Sequence, residues 1–185
     1  MRRIAVIDST SLISLTHLEL AASLTLFFDI VYVPSAVQRE VNTKHRFRYR
    51  LRKLYRTGAF QRCATADPTR IELLRIELDE GEAEALVQAQ EKNAAYFIGD
   101  DKRAREIGEG QGLTAVGTVR LLARLSLEPG GEDASKLVKK LRKELKFRVS
   151  EAVVEEAISM ASEPIRSSAG GSLFWISSLG ISDST

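Results

Sequence analysis

The sequence has few of the residues that build disulfide, zinc or thiol centres. Among its 185 residues are one cysteine, Cys63, and two histidines, His17 and His45. A single cysteine excludes an internal disulfide framework and fits a reducing cytoplasm. The histidines stand in no ligand spacing, so we expect structural or surface roles for both. No Ser/His/Asp or Cys/His arrangement suggests a protein nucleophile.

Long apolar runs are also lacking. The most apolar region, residues 18–33, is interrupted by Glu19 and Asp29 and is followed by Pro34. It is too short and too polar to span a membrane. The apolar run near the N-terminus reaches Asp8 after four residues, which argues against a signal peptide. We therefore expect a cytoplasmic protein without a membrane segment.

Charge is distributed unevenly along the chain. Hydrophobic residues make up 44% and charged residues 28%, which suits a globular domain with a sizeable core. Residues 44–62 contain eight Lys and Arg and no acid. Because the chain has 27 basic and 25 acidic residues in all, the remainder has 19 basic and 25 acidic residues. The pattern predicts an acidic body with one basic segment.

Short apolar, β-branched runs alternate with helical patterns. Strands are predicted at residues 3–7, 30–33, 95–98 and 113–116. Helices are predicted at residues 12–27, 34–41, 79–93, 101–108, 118–127, 132–146 and 150–161. Strands separated by helices predict βαβ units, hence a three-layer α/β/α sandwich with a mainly parallel central sheet.

The expected organisation is one domain over residues 1–161, followed by a tail. Within the domain, residues 44–62 form a basic arm, mostly helical, although the alternation in "RFRYRLR" also fits a strand. Residues 132–161 form C-terminal helices. The tail, residues 162–185, is rich in Ser and Gly. It is either an unstructured end or, through "LFWI" (173–176), a docking segment.

Aspartates follow two of the predicted strands. Asp8 ends the first strand, and Asp100 and Asp101 end the strand at 95–98. Parallel sheets place ligand groups at the carboxyl ends of strands. Each aspartate could equally cap the helix that follows it.

Helical spacing assigns three glutamates to faces. Glu40 shares the face of Val37, which should turn toward the sheet, although Glu40 could also lean into solvent. Glu82 shares the face of Leu86 and is therefore expected to point inward. Glu84 lines up with Gln88 and Glu91, so we expect it on the polar side.

Several inward carboxylates would repel one another unless a cation held them. Oxygen ligands without a His or Cys cluster favour Mg²⁺ or Mn²⁺ over zinc. The acids therefore indicate a divalent metal site at one edge of the sheet.

Five segments occur together in the order seen in one known family. They are "AVIDSTSLISLTHL", "VYVPSAVQREV", "LDEGEAEALVQAQ", "YFIGDDKRARE" and "AVGTVRLL". The combination resembles PIN-domain ribonucleases, in the branch close to VapC-like toxins of toxin–antitoxin systems. The similarity runs from about residue 3 to about residue 160.

The resemblance implies a Mg²⁺- or Mn²⁺-dependent endoribonuclease that hydrolyses RNA phosphodiester bonds. It also implies an antitoxin partner and a homodimer. The family's catalytic acids fall on Asp8, Glu40, Glu82 and the pair Asp100 and Asp101. All of these except Glu40 would bind the metal. Supporting hydroxyls would come from Ser9, Thr10 and Thr118, although Thr118 could instead cap the helix after it.

The basic segment is expected to bind RNA, with cations neutralising phosphates and aromatic rings stacking on unpaired bases. The alternatives are a solvated basic helix or a docking site for an acidic partner. The candidate RNA-binding residues are Arg46, Arg48, Arg50, Arg52, Lys53, Arg56, Tyr49 and Tyr55.

The presence or absence of particular acids argues against two other functions. Haloacid-dehalogenase-like phosphatases share "VIDST" and a later "GDD", but they need a second aspartate where this chain has Thr10. A catalytically silent PIN-like module that binds RNA or a partner would be indicated by loss of an acid such as Asp8. Every expected acid is present.

Overall fold

The computed structural model describes residues 2–63 and 67–166. In this part of the chain five strands form one sheet, and every neighbouring pair is parallel. The strands are β1 (Ile4–Ile7), β2 (Ile30–Val33), β3 (Phe60–Arg62), β4 (Tyr96–Ile98) and β5 (Thr114–Val116). Their order across the sheet is β3-β2-β1-β4-β5.

Helices connect the strands and continue beyond the last one. They are α1 (Ser9–His17), α2 (Ser35–Thr43), α3 (His45–Arg56), α4 (Pro68–Leu74), α5 (Glu80–Glu91), α6 (Lys102–Gly110), α7 (Thr118–Leu125), α8 (Ala134–Leu145) and α9 (Glu151–Ser159). A 3-10 helix covers Ala21–Leu26. In the described ranges, no helix has both the length and the apolar character needed to cross a bilayer.

Helices cover both faces of the sheet. Side chains alternate along each buried strand, so each strand contributes to the core on both faces. Ala5 and Ile7 of β1 belong to a core that includes residues of α1, α3, α7, α8 and α9. Val6, between them, packs with Leu86 of α5 and Ala104 of α6 on the other face. The predicted three-layer α/β/α sandwich is confirmed, and its sheet is wholly parallel.

Two predicted elements differ from the structure. The helix predicted at residues 12–27 is wrong, because α1 ends at His17 and Glu19 adopts a left-handed conformation with φ of +64°. The chain turns there and continues as the 3-10 helix, so the leucine-rich run is divided between α1 and the 3-10 helix. The strand β3 was missed because it has three residues, and its Gln61 and Arg62 lack the apolar pattern of a buried strand.

The "RFRYRLR" part of the basic segment is helical, within α3, so the strand alternative for it is wrong; the segment ends in β3. In α3 the residues Phe47, Leu51 and Leu54 are buried against the core, at helical spacing of four and three. From residue 167 onward the predicted tail lies outside the described residues, and so does the "LFWI" segment at 173–176.

Strand order brings the ends of β1 and β4 together. From β1 the chain proceeds outward through β2 to β3, then returns to place β4 on the other side of β1. The direction in which strands are added reverses between β1 and β4, and open parallel sheets bind ligands at such switch points. Asp8 follows β1 directly, and Asp100 follows β4 after Gly99.

Candidate active site

Asp8 lies at the centre of the switch point and is 2% exposed. Its backbone N–H donates to the carbonyl of Ile98 at 2.9 Å, which extends the pairing of β1 with β4 by one residue. Its Oδ1 accepts from the backbone N–H of Ser11 at 2.7 Å and caps α1. Its Oδ2 accepts from the backbone N–H of Asp100 at 3.3 Å. Asp8 therefore both caps a helix and adjoins the second strand end.

Asp100 is held by the start of α7 and by α1. The backbone N–H of Thr118 donates to its Oδ1 at 2.7 Å, and the Thr118 hydroxyl donates to its Oδ2 at 2.6 Å. The Ser11 hydroxyl donates to the same Oδ2 at 3.5 Å. Thr118 is thus the first residue of α7 and bonds Asp100 with its side chain, whereas Gly117 occupies the cap position. The cap alternative for Thr118 is wrong.

Ser11 was missed by sequence reasoning, which assigned Ser9 and Thr10 instead. Ser11 touches both aspartates, because residue three of α1 returns to the carboxylate that caps the helix. Ser9 is buried near Gly81 at the start of α5. Thr10 is exposed and lines the cavity above the aspartates. The cap spacing D-x-x-S places the N–H of Ser11 at Asp8, whereas the bond of its hydroxyl to Asp100 depends on the pairing of β4 with β1.

Electrostatics at the aspartate pair oppose simultaneous ionisation. Burial raises the pKa of Asp8, and the charge of Asp100 raises it further. Burial likewise raises the pKa of Asp100, while hydrogen bonds from Thr118 and the charge of Arg105 act in the opposite direction. The amino ends of α1 and α7 face these carboxylates and favour their charged forms, but they do not cancel the effect of burial on the two pKa values. A cation placed between them would remove the repulsion.

There is little free space around the pair. A Cβ on Gly99 would lie 2.9 Å from Oδ2 of Asp8 and would overlap the Phe97 ring. A Cβ on Gly117 would lie 3.3 Å from Oδ1 of Asp100. Glycine at these two positions lets the backbone approach the carboxylates closely.

Asp101 has a different role from its neighbour. Its Oδ1 accepts from the backbone N–H of Ala104 at 2.8 Å, which makes Asp101 the cap of α6. It is exposed and lines the same cavity as Asp100. Of the "GDD" pair, Asp100 therefore adjoins Asp8, and Asp101 caps a helix at the cavity wall.

Glu82 is half-buried at the start of α5. It forms a capping box with Asp79, in which the N–H of Glu82 donates to Asp79 at 2.9 Å and the N–H of Asp79 donates to Glu82 at 3.2 Å. Burial raises the pKa of Glu82 to about 7, with further increases from the charges of Asp79 and Asp101. Glu82 can therefore exchange a proton near neutral pH. The D-x-x-E pattern of the box is visible in the sequence.

Glu40 lines the cavity but does not turn toward the sheet as predicted. Its side chain is 48% exposed and pairs with Lys44 at 3.5 Å. The sheet-facing side chains of α2 are Val37 and Val41, which are fully buried. Glu40 lies at the edge of this apolar stripe, where a carboxylate keeps its water.

Glu84 is buried, so the prediction that it lies on a polar face is wrong. It is 3% exposed and accepts hydrogen bonds from the backbone N–H groups of Ser35 at 3.2 Å and Ala36 at 2.5 Å. Pro34, which precedes α2, supplies no side-chain cap, so these N–H groups need an acceptor. Glu84 reaches them from α5 and ties the two helices together.

A cavity of about 640 Å³ opens above the aspartates, and we call it the carboxylate cavity. Carboxylates and basic side chains both line it, whereas Asp8 lies buried beside Asp100. The acids include Glu40, Glu82, Asp100 and Asp101, and the basic residues are Lys44, Arg46, Lys146 and Arg148. The structure thus brings four of the five candidate acids to one wall, with the fifth behind it.

The donors suit a hard divalent cation held by few protein ligands. Within residues 2–63 and 67–166, no three Asp, Glu, His or Cys side chains stand close enough to form a ready-made metal cage. Mg²⁺ is usually bound through one or two carboxylates, with waters and substrate phosphates completing its shell. Asp8, which is buried, and the adjacent, half-buried Asp100 repel each other and fit that arrangement.

The basic arm divides into structural and exposed cations. Arg50 donates to the carbonyls of Thr16 and His17 at 2.9 and 3.3 Å and pairs with Glu19, so it caps the end of α1. Arg48 donates to the carbonyl of Asn42 at 3.1 Å. Other side chains of the candidate set remain exposed, namely Arg46, Tyr49, Arg52, Lys53 and Arg56.

The three Phe and Tyr rings of α3 are placed differently. Tyr49 is 65% exposed, and Lys53 lies over its ring. Tyr55 is partly buried, with Arg62 over its ring, and burial raises its pKa to about 12. Phe47 is buried, so of the three rings Tyr49 is the most accessible to a base.

The fold and the site together define a three-layer α/β protein with carboxylates gathered at the switch point of a parallel sheet. The family model described as a PIN domain matches residues 4–163, and the chain belongs to this family. PIN domains are generally nucleases and typically use divalent metal ions. Comparison with the curated proteins and with the solved structures gave no match.

Proposed function

We propose that this protein is a cytoplasmic metal-dependent endoribonuclease, of the toxin type within the PIN family. One observation carries the proposal: Asp8 adjoins Asp100 at the switch point, and Asp100 lines a cavity with both acidic and basic walls. Hydrolysis of a phosphodiester needs the acids to hold a metal ion, and the basic side chains neutralise the negative charge of the phosphates.

Each acid has a part in the proposed reaction. Asp8 and Asp100 would hold Mg²⁺ or Mn²⁺, with Glu82 and Asp101 available from the cavity wall. When bound, such an ion neutralises phosphate charge and lowers the pKa of a coordinated water. Thr118 and Ser11 orient Asp100. Glu82, with a pKa of about 7, would accept a proton from the attacking water or return one to the leaving oxygen.

The exposed cations of α3 would guide RNA toward the cavity. Arg46 belongs to both the arm and the cavity wall, so the two surfaces are continuous. Arg52, Lys53 and Arg56 would contact phosphates farther along, with Tyr49 offering a stacking surface. An antitoxin that covers the cavity and a homodimer complete the proposal, and both follow from the toxin-type assignment alone.

The test is incubation of purified protein with a labelled RNA pool, with Mn²⁺, with Mg²⁺ and with EDTA. We expect metal-dependent fragments from the wild type and none from Asp8→Asn. Asp29→Asn serves as the control, because Asp29 is exposed and bonded to Arg3 near the opposite end of β1. Cleavage by Asp8→Asn at the wild-type rate would refute the assignment. RNA binding without cleavage by the wild type would indicate a silent binding module.

A further inference from the structure

A second cavity adjoins the carboxylate cavity. It has a volume of about 530 Å³ and lies between α6, α7, α9 and β5, and we call it the side cavity. The residues Asp100, Phe147 and Arg148 line both cavities. The two spaces therefore meet at Asp100, under the connector formed by residues 146–149.

The connector is held in a fixed conformation between α8 and α9. Lys146 takes a left-handed conformation with φ of +56°, and the N–H of Phe147 donates to the carbonyl of Leu141 at 3.3 Å. Arg142 donates to the carbonyl of Val149 at 2.9 Å. Phe147 and Val149 pack against the core, which leaves Lys146 and Arg148 exposed above the cavities.

Arg148 differs from most arginines around it. Arg120, Arg124 and Arg142 donate to backbone carbonyls and support the C-terminal helices. In the described part of the chain, Arg148 has neither a hydrogen bond nor an ion pair with a protein group. A guanidinium that is exposed, unpaired and shared by two cavities is suited to a phosphate, which it can bind through two parallel N–H groups.

The side cavity also presents donors for an anion. Lys102 and Arg105 line it next to Asp100. The Nε of Arg105 is buried and has no hydrogen-bond partner among the described residues. Phe147, half-buried between the two cavities, offers an aromatic surface of the kind on which unpaired bases stack.

We infer that a single strand of RNA passes from the carboxylate cavity into the side cavity beneath Arg148. Arg148 binds a phosphate adjacent to the one that is cleaved. The inference rests on the proposed ribonuclease function and adds to it a substrate path. It makes Arg148 a binding residue at the junction and Lys102 a contact within the side cavity.

The experiment measures binding of a fluorescein-labelled single-stranded RNA by anisotropy, over a series of salt concentrations. The parent protein is full-length Asp8→Asn, and Arg148→Ala, Lys102→Ala and Arg2→Ala are added to it singly. Arg2 is the matched control, since it is an exposed arginine before the amino end of β1, at the opposite edge of the sheet. Wild-type cleavage of RNA is measured in parallel.

For Arg148→Ala we expect about fivefold weaker binding near 0.1 M salt and a slope of log K against log salt that is smaller by about 0.7. Lys102→Ala should show a smaller loss in the same direction, and Arg2→Ala no change. Loss with Arg148→Ala but none with Lys102→Ala would overturn the two-cavity path. If Arg148→Ala binds like Arg2→Ala while the wild type still cleaves, the inference alone fails. If the parent does not bind and the wild type does not cleave, the proposed function fails with it.

Discussion

The backbone N–H of Asp100 donates to Oδ2 of Asp8 at 3.3 Å, although the two residues are 92 positions apart in the chain. The bond exists because β1 and β4 are parallel neighbours, with Ile7 opposite Ile98 at their carboxyl ends. A buried carboxylate and a half-buried one, widely separated in the chain, are thereby held side by side. The testable consequences concern their charge, their orientation and the helix packing around them.

The stability of the metal-free protein should depend on the charge of Asp8. Its folded-state pKa is raised, so the native state binds this proton more tightly than the unfolded chain does. The free energy of unfolding should then fall as the pH rises from about 4, where an ordinary aspartate ionises, to about 8, the folded-state pKa of Asp8. Asp8→Asn should reduce this fall, as measured by thermal melts in EDTA between pH 4 and 8.

Added Mg²⁺ or Mn²⁺ should reverse the same loss. At pH 7.5 the wild type should melt at a higher temperature with the metal than with EDTA, because a ligand that binds only the native state stabilises it. Asp8→Asn should show little or no increase, and Asp29→Asn should respond like the wild type. An equal increase in Asp8→Asn would mean that the ion binds elsewhere.

Removing the hydroxyl of Thr118 should alter the pH dependence of cleavage. Thr118→Val keeps the backbone N–H bond to Asp100 but loses the 2.6 Å bond from the side chain. Because this bond favours the charged carboxylate, the pKa of Asp100 should rise, and the acidic limb of the pH–rate profile should move to higher pH. Thr118→Ser should restore the original limb. An unchanged profile in Thr118→Val would show that Asp100 does not need this partner.

Glu84 should be important for stability and not for chemistry. Glu84→Ala removes the acceptor for the N–H groups of Ser35 and Ala36, and hydrogen bonds to a charged group contribute about 1.5–3 kcal/mol each. We expect the free energy of unfolding in urea to fall by about 3 kcal/mol. Glu109→Ala, an exposed glutamate on α6, should change it by less than about 0.5 kcal/mol. Equal effects of the two variants would contradict the capping role of Glu84.

The sequence predicted the sandwich because the information for it is local. Apolar, β-branched runs such as residues 30–33 indicate a buried strand, and Pro34 indicates the start of the helix that follows. The boundaries failed where local signals were shared or short, as at Glu19, where one leucine-rich run breaks into two elements. The strand β3 was missed because it is short and half polar.

The candidate acids were found by their positions relative to strand ends and helix starts, but their surroundings were not. Glu84 was assigned to solvent because helical spacing describes one helix, and its burial depends on the uncapped start of another. Arg50 belonged to the predicted RNA-binding set, but it caps α1. In both cases the partner is a backbone group that sequence spacing does not reveal.

The sequence by itself determined the layers, the parallel sheet and the set of acids, because periodicity and strand ends are encoded within about ten residues. Only the tertiary structure decided which acids meet. The order of strands placed Asp100 against Asp8, and the packing of the C-terminal helices set Arg148 between two cavities. These relationships join residues far apart in the chain, and they arise only when the strands and helices pack.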